Sequence, residues 1–266
     1  LQEMRSLPIP VQSSPIIDST VSNAQMTSAP LKIESIAQAI QLANQLQASG
    51  QFADAERVLQ QILAAEPNHA HALHLYGVLL FQAGHREEAI QKLSQAIESS
   101  PKEALFCCNL TEMYRKSGML KEAIIWGKRA VELDPMMASA YSNLGVAQYD
   151  AGNLDEAEDA HLKALVLEPS LIQSLNTLGS IERARKRPNQ AIEWYQKALT
   201  IQPEYVEPLS NLGALLVEID RFNEAESFLN KVIQINPNYP TGLCNLGLVR
   251  MKQLRFDEAI SLLQRS

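Results

Sequence analysis

The side chains of this 266-residue chain best suited to chemistry are amides, imidazoles and guanidiniums, and their spacing limits what they can do. Asn109, Asn143, Asn211 and Asn245 are separated by multiples of 34 residues. A side-chain amide carries both a donor and an acceptor. A row of them could therefore hold the N–H and C=O groups of an extended peptide whatever its sequence. Asparagine is a poor helix former because its side chain competes with the backbone, so its recurrence within a helical pattern calls for a reason. His69, His71 and His74 lie close together, and the last two are one helical turn apart. That spacing suits a metal, but no ligand set is completed locally and no metal is expected. His85 lies beside Glu87 and Glu88, and His161 near Asp159; both histidines fit surface or packing positions of a helix. The sequence has no glycine-rich phosphate loop, nucleophile elbow or paired cleft carboxylates. Neither catalysis nor a cofactor is expected within these residues.

The elements that must position the amides follow from a second beat. Pro67, Pro101, Pro135, Pro169, Pro203 and Pro237 are each 34 residues apart, which marks a repeat array. With each proline at position 32, the first repeat starts at Ile36. Position 8 then reads Ala43, Gly77, Thr111, Gly145, Gly179, Gly213, Gly247, and position 20 is alanine from Ala55 to Ala259. Between these markers apolar residues recur at helical spacing, as in Leu209, Leu212 and Leu216. Each repeat reads as two antiparallel helices, A over positions 1 to 14 and B over 18 to 31. Small residues at 8 and 20 let their backbones approach. Proline at 32 lacks an N–H and cannot continue helix B. Asp155 and Asn223 are placed just before helix B, where such residues suit an N-terminus.

Two departures stand out. Position 15, at the A–B turn, is glycine in four repeats but Lys186, Asp220 and Leu254 in the last three. If the turn is left-handed, each non-glycine residue there costs about 1 kcal/mol or more. Gly127 occupies position 24, where other repeats carry Leu59, Leu93, His161, Tyr195, Leu229 or Leu263. The third repeat should pack loosely unless Trp126 swings in.

This pattern resembles the tetratricopeptide repeat family, whose unit carries small residues at 8, 20 and 27 and proline at 32. The resemblance implies an all-α fold, an αα superhelix (solenoid) of seven 34-residue helix-turn-helix repeats. Its units fall at 36–69, 70–103, 104–137, 138–171, 172–205, 206–239 and 240–266, preceded by a flexible Pro/Ser-rich tail at 1–34. It also implies a concave groove lined by helix A at positions 2, 5, 6, 9, 12 and 13. The position-6 asparagines Asn109, Asn143, Asn211 and Asn245 are similar to the asparagine ladder in the repeat domain of O-linked N-acetylglucosamine transferases. Thr177 interrupts the row, and Leu75 and Gln41 end it. Tyr149, Leu248, Met251 and Phe81 would add apolar contact, and Arg115 and Arg183 positive charge. Position 5 carries no lysine, which argues against the carboxylate-clamp members that take chaperone C-termini. The basic run Arg183, Arg185, Lys186, Arg187 reads as a solvated turn. The expected function is a protein-interaction scaffold holding an extended peptide or partner helix. The alternative is the substrate-recruiting arm of a glycosyltransferase with its catalytic domain beyond Ser266.

Composition narrows the partners. A net charge of −7 gives no electrostatic support for nucleic acid. No apolar run is long enough to span a membrane. Cys107, Cys108 and Cys244 form no even framework, which favours reduced thiols and a cytoplasmic setting; adjacent Cys107 and Cys108 point to different faces, with Cys107 packed. The chain opens on Leu1 and stops within a helix B, so a fragment of a longer protein is expected, with self-association through an uncapped seventh repeat as a further partner mode. Ala157→Leu should overpack the A–B contact and cost roughly 1–3 kcal/mol; an unchanged unfolding midpoint would count against this register.

Overall fold

A computed structural model describes residues 35–266, and the tail expected at 1–34 lies outside the described residues. The described chain is all-α and divides into two compact bodies, one ending at Ser100 and one running from Pro101 to Ser266. The first body holds α1 (Ile36–Ala48), α2 (Phe52–Ala65), α3 (Ala70–Gln82) and α4 (Arg86–Ser99). The second holds α5 (Ala104–Lys116), α6 (Leu120–Leu133), α7 (Ala138–Asp150), α8 (Leu154–Leu167), α9 (Ile172–Ala184), α10 (Pro188–Ile201), α11 (Val206–Glu218), α12 (Phe222–Ile235), α13 (Pro240–Lys252) and α14 (Phe256–Arg265). Odd helices are the A elements and even ones the B elements. Helix A covers positions 1 to 13 and helix B starts at 17, one residue earlier than expected.

Local chemistry explains the ends. Six B helices stop two residues before a proline of the 34-residue series, where the next backbone donor is missing. Asp155 and Asn223 lie inside the first turns of α8 and α12 rather than before them; the capping residues are Asn153 and Arg221, and neither side chain caps. Acidic residues in most first B turns, such as Asp155 and Glu156, instead face the positive end of the helix dipole. The A–B turn is left-handed in all seven repeats, with φ between 58° and 90° at Gly50, Gly84, Gly118, Gly152, Lys186, Asp220 and Leu254. The last three repeats therefore carry a strain that glycine would relieve.

Within each pair the backbones meet through a small residue at position 8 facing a large one at position 24. A Cβ added to Gly179 would stand 2.5 Å from the ring of Tyr195, one on Gly145 2.7 Å from that of His161, and one on Gly213 2.7 Å from Leu229. Tyr195, His161 and Leu229 are fully buried. The third repeat departs from the arrangement, with small residues on both sides. Buried Thr111 stands at position 8, and Gly127 is the small partner at 24. The atoms nearest a Cβ at Gly127 belong to Leu144 of α7, at 3.0–3.3 Å. Trp126 remains half-buried. Leu144 of the next helix A thus stands in the space expected to be open at Gly127.

In the second body, each of α6, α8, α10 and α12 packs between its own helix A and the following one. Successive A helices also touch, α5 with α7 and so on to α13, whereas among the described residues no two B helices meet. The A helices therefore form one continuous layer, and the B helices stand apart from one another. In the first body α1 likewise touches α3.

Gly179→Ala should lower stability by about 1–3 kcal/mol through overpacking against the Tyr195 ring, outweighing alanine's helix-propensity gain of about 1 kcal/mol. Thermal or denaturant unfolding checks this, and an equal or higher midpoint would contradict it.

Candidate functional site

The A layer of the second body carries the residues expected in the groove, on α5, α7, α9, α11 and α13. Neighbouring A helices are offset so that a side chain on one reaches the residue 35 positions away on the next. Asn143 Nδ2 donates to the Cys108 carbonyl at 3.4 Å and approaches Cys108 Sγ at 3.3 Å. Asn211 Nδ2 donates to Asn176 Oδ1 at 3.0 Å. Only the NH2 end of an amide can bond a carbonyl oxygen, so these contacts orient both side chains and leave their own Oδ1 atoms as acceptors. Asn109 and Asn245 are half-buried on α5 and α13. Thr177, the break in the row, is buried and donates to the Gln173 carbonyl of its own helix at 3.0 Å.

The two groove arginines are not open cations. Arg115 makes a two-pronged bond to Glu112, at 2.7 and 2.8 Å, and reaches Asp150 of α7 at 2.7 Å. Arg183 bonds both oxygens of Glu218 on α11, at 3.0 and 2.5 Å. These carboxylates raise the already high basicity of each guanidinium, the Glu112 bond leading at Arg115 and the Glu218 bond at Arg183. Both clasps run from position 12 of one repeat to position 13 of the next.

Three of the expected groove residues come together. Tyr149, Arg183 and Asn211 line a cleft of about 330 Å³ with Ser180, Ala184 and Glu218. Ser180 is also within 3.1 Å of the Tyr195 hydroxyl, so the cleft floor is tied to the buried ring. The sequence reading did not pair Asn176 with Asn211. Once packing sets the offset between stacked A helices, position n of one repeat meets n+1 of the next. Arg115 belongs to a separate cluster with Glu112, Lys116 and Asp150. Leu248 and Met251 sit on α13, each 39 % exposed. Beyond them Leu254, Phe256, Ile260 and Leu263 are exposed, although Leu263 occupies the position at which Leu229 is fully buried.

The basic run divides up. Arg183 takes Glu218, Arg185 takes Asp155, Glu158 and Glu182, and Arg187 takes Glu182. Arg185 thereby ties α8 to the turn after α9, and the run is an inter-repeat fastener more than a solvated turn. Cys107 and Cys108 are both buried, and Cys244 is exposed; all three are free thiols. Burial pushes the Cys108 thiol up to about 12, so it stays protonated and unreactive. Position 5, expected in the groove, is covered by the next helix A at Cys108, Ser142 and Ser210. Among the described residues no cluster of His, Cys, Asp or Glu could hold a metal, and no helix is long and apolar enough to cross a membrane.

Two family models described as "Tetratricopeptide repeat" match residues 46–106 and, in overlapping windows, 136–204 and 170–238. A third, described as "TPR repeat", matches 112–152. No curated protein matches the chain in sequence. Among solved structures, a tetratricopeptide repeat protein from Parabacteroides merdae superposes with a TM-score of 0.71 at 16 % identity, over 86 % of this chain and 91 % of that one. The pilF protein of Pseudomonas aeruginosa gives 0.64 at 22 % identity, over 73 % and 88 %. Cut9, in the APC/C Cut9–Hcn1 hetero-tetramer, gives 0.75 at 18 % identity, over 87 % of this chain and 46 % of that one. These likenesses establish the fold.

Asn143→Ala should cost about 1 kcal/mol even without any ligand, because the amide bonds the preceding helix. Asn245→Ala, which removes no such tie, should leave the unfolding midpoint unchanged. Equal effects of the two substitutions would contradict this difference.

Proposed function

The chain belongs to the tetratricopeptide repeat family, and on that premise we propose that it is a protein-interaction module whose second body holds an extended peptide segment along its inner face. The observation that carries this reading is the cleft of Tyr149, Ser180, Arg183, Ala184, Asn211 and Glu218. It joins an aromatic side chain to oriented polar groups on three successive A helices, α7, α9 and α11. Polar groups spread over three stacked helices suit an extended segment better than a compact small molecule. Asn143 and Asn211, held by their NH2 groups, turn acceptors toward peptide N–H donors. Asn245 keeps its whole amide, and Leu248 and Met251 offer apolar contact at the far end.

The arginine clasps bear on selectivity. Arg183 already spends Nε and Nη2 on Glu218. A carboxylate ligand would have to displace an intramolecular partner that is always present, so the reading favours segments without an acidic residue at that point. Each hydrogen bond adds only about 1 kcal/mol net. Useful affinity therefore has to be collected over several repeats, which an extended ligand can do and a compact one cannot.

Selection of a displayed random peptide library on the intact chain tests this. Selected peptides should lose about fivefold in affinity on Asn211→Ala, the equivalent of about 1 kcal/mol, and tenfold or more on Tyr149→Ala. Peptides whose binding ignores both substitutions, while the variants keep their fold, would place the binding surface elsewhere.

A further inference from the structure

The junction between the fourth and fifth repeats contains a buried polar chain that the groove reading does not use. His161 lies on α8 at position 24 and is fully buried. Its Nδ1 is 3.1 Å from Ser174 Oγ on α9, and Ser174 Oγ donates to Ser142 Oγ on α7 at 3.3 Å. Both serines are buried. Since the Ser174 proton goes to Ser142, Nδ1 carries the imidazole proton and donates to Ser174. Nε2 is then a bare lone pair. It is buried without a partner and faces Gly145 of α7, close to where a Cβ would stand. In neutral form this chain ties three helices together. A proton on Nε2 would create a cation against a wall of backbone with no acceptor in reach, which a protein interior resists strongly.

The charged groups of the surrounding helices do not relieve it. On α8, Glu158 is engaged with Arg185, as is Glu182 on α9. Lys163 of α8 lies over the Tyr141 ring of α7. Tyr149 and Arg183 line the cleft. Burial alone lowers the imidazole from 6.5 to about 4, with no charged neighbour contributing. Position 24 elsewhere in the second body carries Gly127, Tyr195, Leu229 and Leu263, so this titratable core is particular to one junction.

We propose that His161 makes the α7–α9 junction acid-sensitive, and with it the inner face carrying Asn143, Tyr149, Ser180 and Arg183. Taking up a proton there loosens the two A helices and releases a ligand held across them. The second clause rests on the groove reading; the first does not. The direction follows from linkage. The unfolded or opened junction binds a proton below about 6.5, the closed one only near 4, so closure is favoured above that window and lost as pH falls through it.

Hydrogen exchange on the intact chain at pH 7 and pH 5, corrected for intrinsic rates, tests the first clause. The opening equilibrium of α7, α8 and α9 should rise on the order of tenfold at pH 5, from the two values above. His161→Leu places leucine opposite glycine, as Leu229 stands opposite Gly213, and His161→Tyr copies Tyr195 opposite Gly179. Both variants should show a flat profile across those helices. His74 on α3 is also buried and lowered to about 4, by burial and then by His71, so exchange must be read helix by helix. Unchanged wild-type protection at pH 5, or equal acid loss in the variants, overturns the proposal. For the second clause, a library peptide selected at pH 7 should bind at least several-fold more weakly at pH 5 to the wild type but not to His161→Leu. Parallel loss in both, or loss in neither, refutes that clause. A library that yields no groove-dependent peptide refutes the groove reading and leaves the exchange result standing.

Discussion

Close approach of two helices within each repeat is the contact on which every other one depends. A backbone that carries no side chain at position 8 lets a large residue at position 24 lie directly against it, and buried leucine, tyrosine or histidine fills that place. Dispersion falls off steeply with separation, so a few tenths of an ångström decide whether the pair packs. The third repeat shows that the requirement is for complementary volume and not for glycine at a given site. There both facing residues, Thr111 and Gly127, are small, and Leu144 of the next repeat stands against Gly127. Volume missing within one pair can be supplied from the neighbouring repeat.

Stacking of the pairs then produces a second regularity. Because each helix A rests on the previous one with a one-residue offset, side chains 35 residues apart meet. The asparagine amides and both arginine clasps obey this rule. It makes the A layer a self-bonded surface. Residues that would be free on an isolated helix already have partners on a neighbouring one, and those bonds leave part of each group over. For the asparagines that is a carbonyl oxygen, and for the arginines a charge already balanced by carboxylate.

The junctions are not equivalent. One is held by His161 with two serines and by Arg185 with three carboxylates. Another is held by Arg250, buried between Glu226 and Glu258. Charged groups inside a junction contribute modestly in net terms, because desolvation offsets much of their attraction. Breaking one partner is far more damaging than never having had the pair.

Periodicity alone determined the fold. Pro67 to Pro237 set the beat, the alanines from Ala55 to Ala259 marked the helix–helix contact, and Gly50 to Gly152 announced a left-handed turn that Lys186, Asp220 and Leu254 also adopt. Those features are legible because each is a local steric demand repeated at one interval. What only the tertiary structure decided is the partner of each polar side chain. Nothing in the one-dimensional pattern says that Asn143 is turned back onto Cys108, that Arg183 is clasped by Glu218, that Leu144 fills the space at Gly127, or that His161 reaches two serines. Hydrogen bonds and ion pairs act over about 3 Å, and residues 35 apart enter that range only once the offset between stacked helices is set by packing.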